Sequence, residues 1–326
     1  MTYSSGGLIQ AADYNTFATN LNAIWSTGTT DSGWGQTSIS SVSANGIVTA
    51  TNWATLVNNL ATSGSQTVTT ITSRTAPVTG NIIAILANVA TDITSCTTNR
   101  GNAASVGNEI GYIVGTTSKT GVTGAGTTAW TITFTHIVTF DSNQAVRYFF
   151  NAGGLIRLQF GKSSTGTDID PDWNTFAGYP GSLYITGSAG AKTIAGVSYT
   201  GTTRIGGTGG TQTTLSTATG WYALTTTPTT IFLLTNTNAP YTGETIGVTA
   251  AATTTNVMTL VTTWTQPAVS GAGQTNNISG GTAPALGATS IGAATAPTTL
   301  CTYTPPSIAS GLANTWGITS IQATVS

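Results

Sequence analysis

The sequence predicts a mainly β protein, an antiparallel sandwich or barrel-like fold, with a small α-helical unit at its N-terminus. Three observations predict it. Apolar residues recur at three- and four-residue steps in the first hundred positions, they alternate with threonine from about residue 128, and further β-type runs are separated by clusters of Gly, Asn and Pro. The first pattern puts side chains on one helix face and the second on one strand face. The chain accordingly divides into residues 1–125, a helical docking region, and 126–326, a Thr/Gly-rich β domain with an extended segment from about 267.

In the helical region Tyr14, Phe17, Leu21 and Ile24 share one face, with Asp13 placed to cap free N–H groups at the start. Trp53, Leu56, Val57 and Leu60 repeat that spacing behind Thr51 and Asn52 as candidate caps, and Gly64 follows. Laying residues 8–22 over 47–61 matches Ala11 with Ala50, Tyr14 with Trp53, Phe17 with Leu56, Asn20 with Asn59 and Leu21 with Leu60. Two copies make a helix pair and fall short of a solenoid. A third helix is expected from about residue 81 to 94, carrying Ile82, Ile85, Leu86, Val89 and Ile93.

In the β domain, Trp130, Ile132, Phe134, His136, Val138 and Phe140 alternate with a row rich in threonine, the pattern of a half-buried strand with a hydroxyl-coated outer face. Runs at 145–150 and 155–160 flank Asn151, Ala152, Gly153 and Gly154, which predicts a hairpin. Further strands are expected at 183–186, 221–225, 230–235, 245–249 and 256–265. The run from 267 to 306 is mostly Ala, Gly, Thr, Ser and Pro; Ile291, Leu300, Tyr303 and Trp316 suggest that it lies against another surface, a second copy of the chain.

Composition removes several classes. Charged residues are 5% of the chain, with eight Lys+Arg against nine Asp+Glu, while Thr numbers 73 and Gly 40. A charged disordered chain, a Glu/Lys coiled coil and a nucleic-acid binder with a basic footprint are excluded. With 39% apolar residues, eight Trp among them, a sizeable core can be buried. The most apolar run, near 82–89, is broken by Asn88 and Asp92, so no membrane insertion is expected. The start lacks a basic region followed by an apolar one, and no secretory signal is expected. Cys96 and Cys301 fit buried free thiols, or a single staple between distant parts of the chain.

Two stretches resemble known material. I-Q-A-A-D-Y-N-T-F-A-T-N-L-N-A-I-W, followed by D-S-G-W-G-Q at 31–36, resembles the N-terminal region of virion structural proteins of tailed bacteriophages, especially marine and cyanobacterial phages. R-Y-F-F-N-A-G-G-L-I-R at 147–157 is similar to a motif of the same group, with Arg147, Phe149, Asn151, Gly153, Gly154 and Arg157 at the recurring positions. Leu155 stands where an acidic residue commonly follows the Gly pair, so the resemblance supplies no ion-pair partner for Arg157. It implies a non-enzymatic part of the virion. A tail fibre or baseplate-associated subunit is the expected placement, with a neck or collar fibre and a capsid decoration protein as alternatives. Copies of itself, a trimer first, and other virion proteins are the expected partners, and a host surface glycan is a further one.

The chemistry-bearing residues are few. His136, on the apolar row of its strand, reads as a core histidine. Asp168, Asp170 and Asp172 beside Trp173 read in three ways: a turn fixed by Pro171, a loop holding calcium or another cation, or the carboxylate pair of a polysaccharide-degrading tailspike with an aromatic sugar platform. The tailspike reading is the alternative of another class, and no fixed repeat period supports the β-helix it would use. No other cofactor is expected. Arg147 and Arg157 read as stacking on aromatics or binding carbonyls, with an anionic glycan as the sharper alternative.

Overall fold

Helix α1 (Ala11–Trp25) and helix α2 (Ala50–Gln66) form from the two expected patterns and pack together, with helix α3 (Val89–Thr98) against both. The repeat is visible in space: the matched residues Tyr14 and Trp53 meet edge to face at 5.3 Å, and Tyr14, Phe17, Leu21, Trp53, Leu56 and Leu60 are all buried. The computed structural model describes residues 10–80, 88–103, 112–118, 129–163, 169–238, 242–267, 297–317 and 319–326.

The helix ends differ from expectation. Asp13 lies in the first turn of α1, where its charge suits the helix dipole, but Gln10 occupies the cap position and no side chain caps it. Helix α2 starts two residues earlier than expected, with Thr49 and Asn52 forming a reciprocal capping box. Gly64 lies inside α2. The helix closes with Thr69 N–H on the Gly64 carbonyl at 2.8 Å and Val68 N–H on Ser65 at 3.3 Å. Val68 holds the left-handed position of this closure, φ 51°, usually taken by glycine. Helix α3 begins at Val89, later than expected, and residues 81–87 lie outside those described.

Strand β1 (Asn102–Ala103) and strand β2 (Tyr112–Ser118) precede the long strand β3 (Trp130–Thr139). The next segment corrects the hairpin expectation. Residues 143–151 are helix α4 (Asn143–Asn151), followed by strand β4 (Leu155–Gly161). The Ser142 hydroxyl accepts from Ala145 N–H as an N-cap, and Ala145, Val146, Phe149 and Phe150 recur at helical steps on the buried face. Aromatic strand propensity yields here to packing. Helix α5 (Ile169–Gly178) follows, then β5 (Ser182–Ile185), β6 (Lys192–Ile194), β7 (Val197–Tyr199), β8 (Thr202–Ile205), β9 (Thr211–Leu215), β10 (Thr229–Thr235), β11 (Thr245–Thr254), β12 (Val257–Gln266), β13 (Thr298–Thr304) and β14 (Ser320–Val325). The strand expected at 221–225 is instead a 3-10 turn, which swings Trp221 onto Phe150 and Phe140.

Two antiparallel sheets face each other, as the fold class anticipated. One runs β14-β3-β12-β11-β10-β9, the other β2-β13-β4-β5-β8, and β1-β6-β7 form a small third sheet. Strand β14 lies beside β2, and β8 beside β9, so the two larger sheets approach along both edges. Residues 112–118, assigned from sequence to the helical region, thus belong to the second sheet as β2.

Ile132, Phe134, His136 and Val138 face the space between the sheets at 0% exposure, opposite Ile156, Leu158, Leu183 and Cys301. Aromatic clusters close the two ends of β3. Phe140, Phe149, Phe150 and Trp221 gather at one; Trp130, Trp173, Phe176 and Trp264 gather at the other, where Trp173 stacks on Trp264 at 5.3 Å. Removing one such ring costs about 3–5 kcal/mol.

One continuous core joins these strands to the helical unit. Tyr303 and Trp316 are buried in their own chain and Leu300 is half-buried, which corrects the expected packing against a second copy for these residues; Ile291 lies outside those described. Both cysteines are buried and free.

Candidate functional site

The chain has little charge, so amide side chains hold its segments together. On α1, Asn15 donates to the Val42 carbonyl at 2.7 Å and accepts from Val42 N–H at 2.8 Å; Asn22 does the same with Ile39, both at 2.9 Å. Each amide presents a donor and an acceptor in the way a neighbouring strand does. Two helical turns separate them, so both face the extended segment at 37–42. Gln36 repeats the device with Ala313 at 3.0 and 2.9 Å.

The densest group of this kind lies where the 27–36 loop meets α4. Asn151, the last residue of α4 and 3% exposed, donates to the carbonyls of Thr30, Ser32 and Gly33 at 3.0–3.2 Å. Its amide oxygen accepts from the Tyr222 hydroxyl at 3.0 Å, and its backbone carbonyl accepts from Trp34 Nε1 at 3.3 Å. Burial pushes the Tyr222 hydroxyl pKa upward, so it stays a donor. Arg147, one turn earlier, reaches the Thr30 and Thr27 carbonyls.

Glycines shape the contact. Gly153 sits at φ 111°, and a Cβ on Gly154 would meet the Phe149 ring at 2.6 Å. A Cβ on Gly35 would run into the Tyr148 ring. Gln66 adds a bond to the Ala152 carbonyl at 2.8 Å. The two stretches that carry the resemblance therefore touch each other and form one joint between the helical unit and the β sandwich.

Arg147 and Asn151 thus bind carbonyls, one of the two sequence readings for the arginines. Arg157 lies apart on β4, where Nε and Nη2 meet the Ser182 hydroxyl at 3.2 and 3.1 Å and the guanidinium lies over the Tyr184 ring at 5.5 Å.

One of the three readings of the acidic stretch, the turn fixed by Pro171, is corrected by the structure. Pro171 lies in α5 and not in a turn. Asp168 lies outside the described residues, as does the side chain of Asp170. Among the described residues no group of three metal-ligating side chains occurs.

Asp172 pairs with Glu244, the last charged residue in the sequence. Asn236 Nδ2 bridges them, 2.6 Å from Asp172 Oδ2 and 2.6 Å from Glu244 Oε2. Asn238 completes the group by donating to the Tyr179 hydroxyl at 2.6 Å. Glu244 is 0% exposed, and its pKa rises far above the usual carboxylate range, to about 10, through burial first and then through donating its proton to Asp172. Burial also raises Asp172, which bonds from Glu244, Asn236 and Asn238 oppose. Such a pair shares one proton at neutral pH.

His136 is buried between the sheets as expected. Sequence reasoning missed Asn15, Asn22, Gln36, Tyr222, Asn236 and Glu244 as polar anchors; the even spacing of Asn15 and Asn22 along α1 was the one readable signal. No family model, curated protein or solved structure matches the chain.

Proposed function

We propose that the chain is a structural component of a tailed-phage virion that acts by assembly and not by catalysis, most simply as a tail fibre or baseplate-associated subunit in several copies. The observation that carries this reading is the six-stranded sheet. Strands β3, β9, β10, β11, β12 and β14 contain no Asp, Glu, Lys or Arg at all. Threonines line its outer face across neighbouring strands, Thr131 beside Thr265 beside Thr245 and Thr133 beside Thr263. A charge-free, hydroxyl-bearing face lets identical subunits approach without like-charge repulsion, whatever their symmetry. The amide joint supports the reading as well, because it fixes the helical unit rigidly on the sandwich.

Native mass spectrometry and light scattering of the purified chain test this. Oligomers are expected to form with rising concentration and to persist in about 1 M salt, where surface ion pairs are screened within about 3 Å. Thr133→Lys, on a half-buried outer position, is expected to yield monomers of unchanged melting temperature. A chain that stays monomeric at all concentrations, or oligomers that salt dissolves, would refute the proposal.

A further inference from the structure

A cavity of about 160 Å³ lies between the C-terminal end of α3, strand β1 and the turn that leads into β6. Asp31, Asn99, Arg100, Asn102, Ser188 and Lys192 are among its walls. It borders the joint, since Lys192 Nζ donates to the Phe150 carbonyl at 3.0 Å and Asp31 belongs to the loop that Asn151 holds. Lys192 is 5% exposed. An ammonium has three donors, and a buried charge is costly unless it is paired with an opposite one. A neutral carbonyl answers the first demand in part and the second not at all.

Arg100, the other cation here, gives one nitrogen to the Thr97 carbonyl and one to Asp31 Oδ2, both at 3.2 Å, with its side chain 38% exposed. Two cations therefore share a single, 43% exposed carboxylate. Among the described residues the wall carries one unbalanced positive charge, in a protein where charge is otherwise scarce.

The geometry points to a binding site for a small monoanionic carboxylate, of the kind carried by an acidic sugar, held between Lys192 and Arg100. A single excess charge matches a carboxylate better than a doubly charged phosphate, and the planar guanidinium suits a two-oxygen partner. Asn99, Asn102 and Ser188 surround it with groups for hydroxyls. The cavity has room for about five waters at roughly 30 Å³ each, which a carboxylate head and part of a sugar ring would displace. Burial lowers Lys192 to a pKa of about 8, so the ammonium is mostly charged at pH 7 and a bound anion would stabilise it. The inference is independent of the assembly reading, because it requires only the single chain.

The test is calorimetric titration of the full chain at pH 7 and low salt with sodium glucuronate, with glucose and inorganic phosphate as comparison arms. Saturable glucuronate binding is expected, with none for glucose. Arg100→Gln is expected to weaken it about tenfold or more, the loss of one charge-assisted bond. Asp31→Asn, which removes the internal competitor, is expected to tighten it. Lys192→Met can fail to fold, so the two half-exposed positions carry the test, each checked for an unchanged circular dichroism spectrum. Absence of glucuronate binding, equal binding of glucose, tighter binding of phosphate, or indifference to Arg100→Gln would each overturn the assignment.

Discussion

The Asn151 joint and the Asp172–Glu244 pair bury polar groups in opposite ways at opposite ends of the sandwich. At the joint, one neutral amide and one arginine meet a row of carbonyls, and the Asn151 donors all have acceptors without any group having to change protonation. At the other end two carboxyls meet across an asparagine, and the arrangement requires a proton. A charge-poor chain can therefore join its segments independently of pH with amides, and it concentrates its pH response where it has kept acids together.

The largest expected effect comes from making the joint resemble the acidic site. Asn151→Asp sets a carboxylate against three carbonyls, and a loss of at least about 3 kcal/mol is expected by chemical denaturation at pH 7. A loss below about 1 kcal/mol would show that the loop is held mainly by Trp34 and the core.

The reverse change, Glu244→Gln, is expected to make the acidic site behave like the joint. The folded chain keeps a proton on Glu244 that the unfolded chain releases above 4.5. Stability from this group is thus fully present below that value and is lost as pH rises toward about 10, by up to about 1.4 kcal/mol per pH unit. Asp172, also raised, acts in the same direction. Lys192 runs the other way, its contribution being present above 10.5 and lost as pH falls through about 8. Melting curves between about pH 5 and 8 separate the two. The wild type should lose stability across this range and Glu244→Gln should flatten the slope; an unchanged slope would place the proton elsewhere.

The smallest effect lies beside the joint, at the end of the helix that supplies Gln66. Val68→Gly relieves a β-branched residue at φ 51° and is expected to stabilise by about 1 kcal/mol, raising the melting temperature by roughly 2 °C. A decrease would mean that the exposed valine makes contacts worth more than its backbone strain.

What was legible in the sequence follows from range. Tyr14, Phe17, Leu21 and Ile24 announce α1 because their spacing is local, and the alternation in β3 announces a strand for the same reason. Helix α4 was hidden, since Tyr148, Phe149 and Phe150 favour strands and only the Ser142 cap argued otherwise. The joint was readable as two stretches worth noting but not as one contact, because Trp34 and Asn151 are 117 positions apart. Glu244 could not be matched to Asp172, since an isolated acid carries no pattern until a fold brings a partner to it.

A fastening made of amides also has a lifetime. Asn and Gln side chains are among the heat-labile ones, and hydrolysis of Asn151 would yield the aspartate described above as a disruptive substitution. Its 3% exposure withholds the water that this reaction consumes. The tightness of the packing around the joint, which holds that water off, therefore sets how long the folded chain keeps its helical unit fastened to the sandwich before the contact loosens from within.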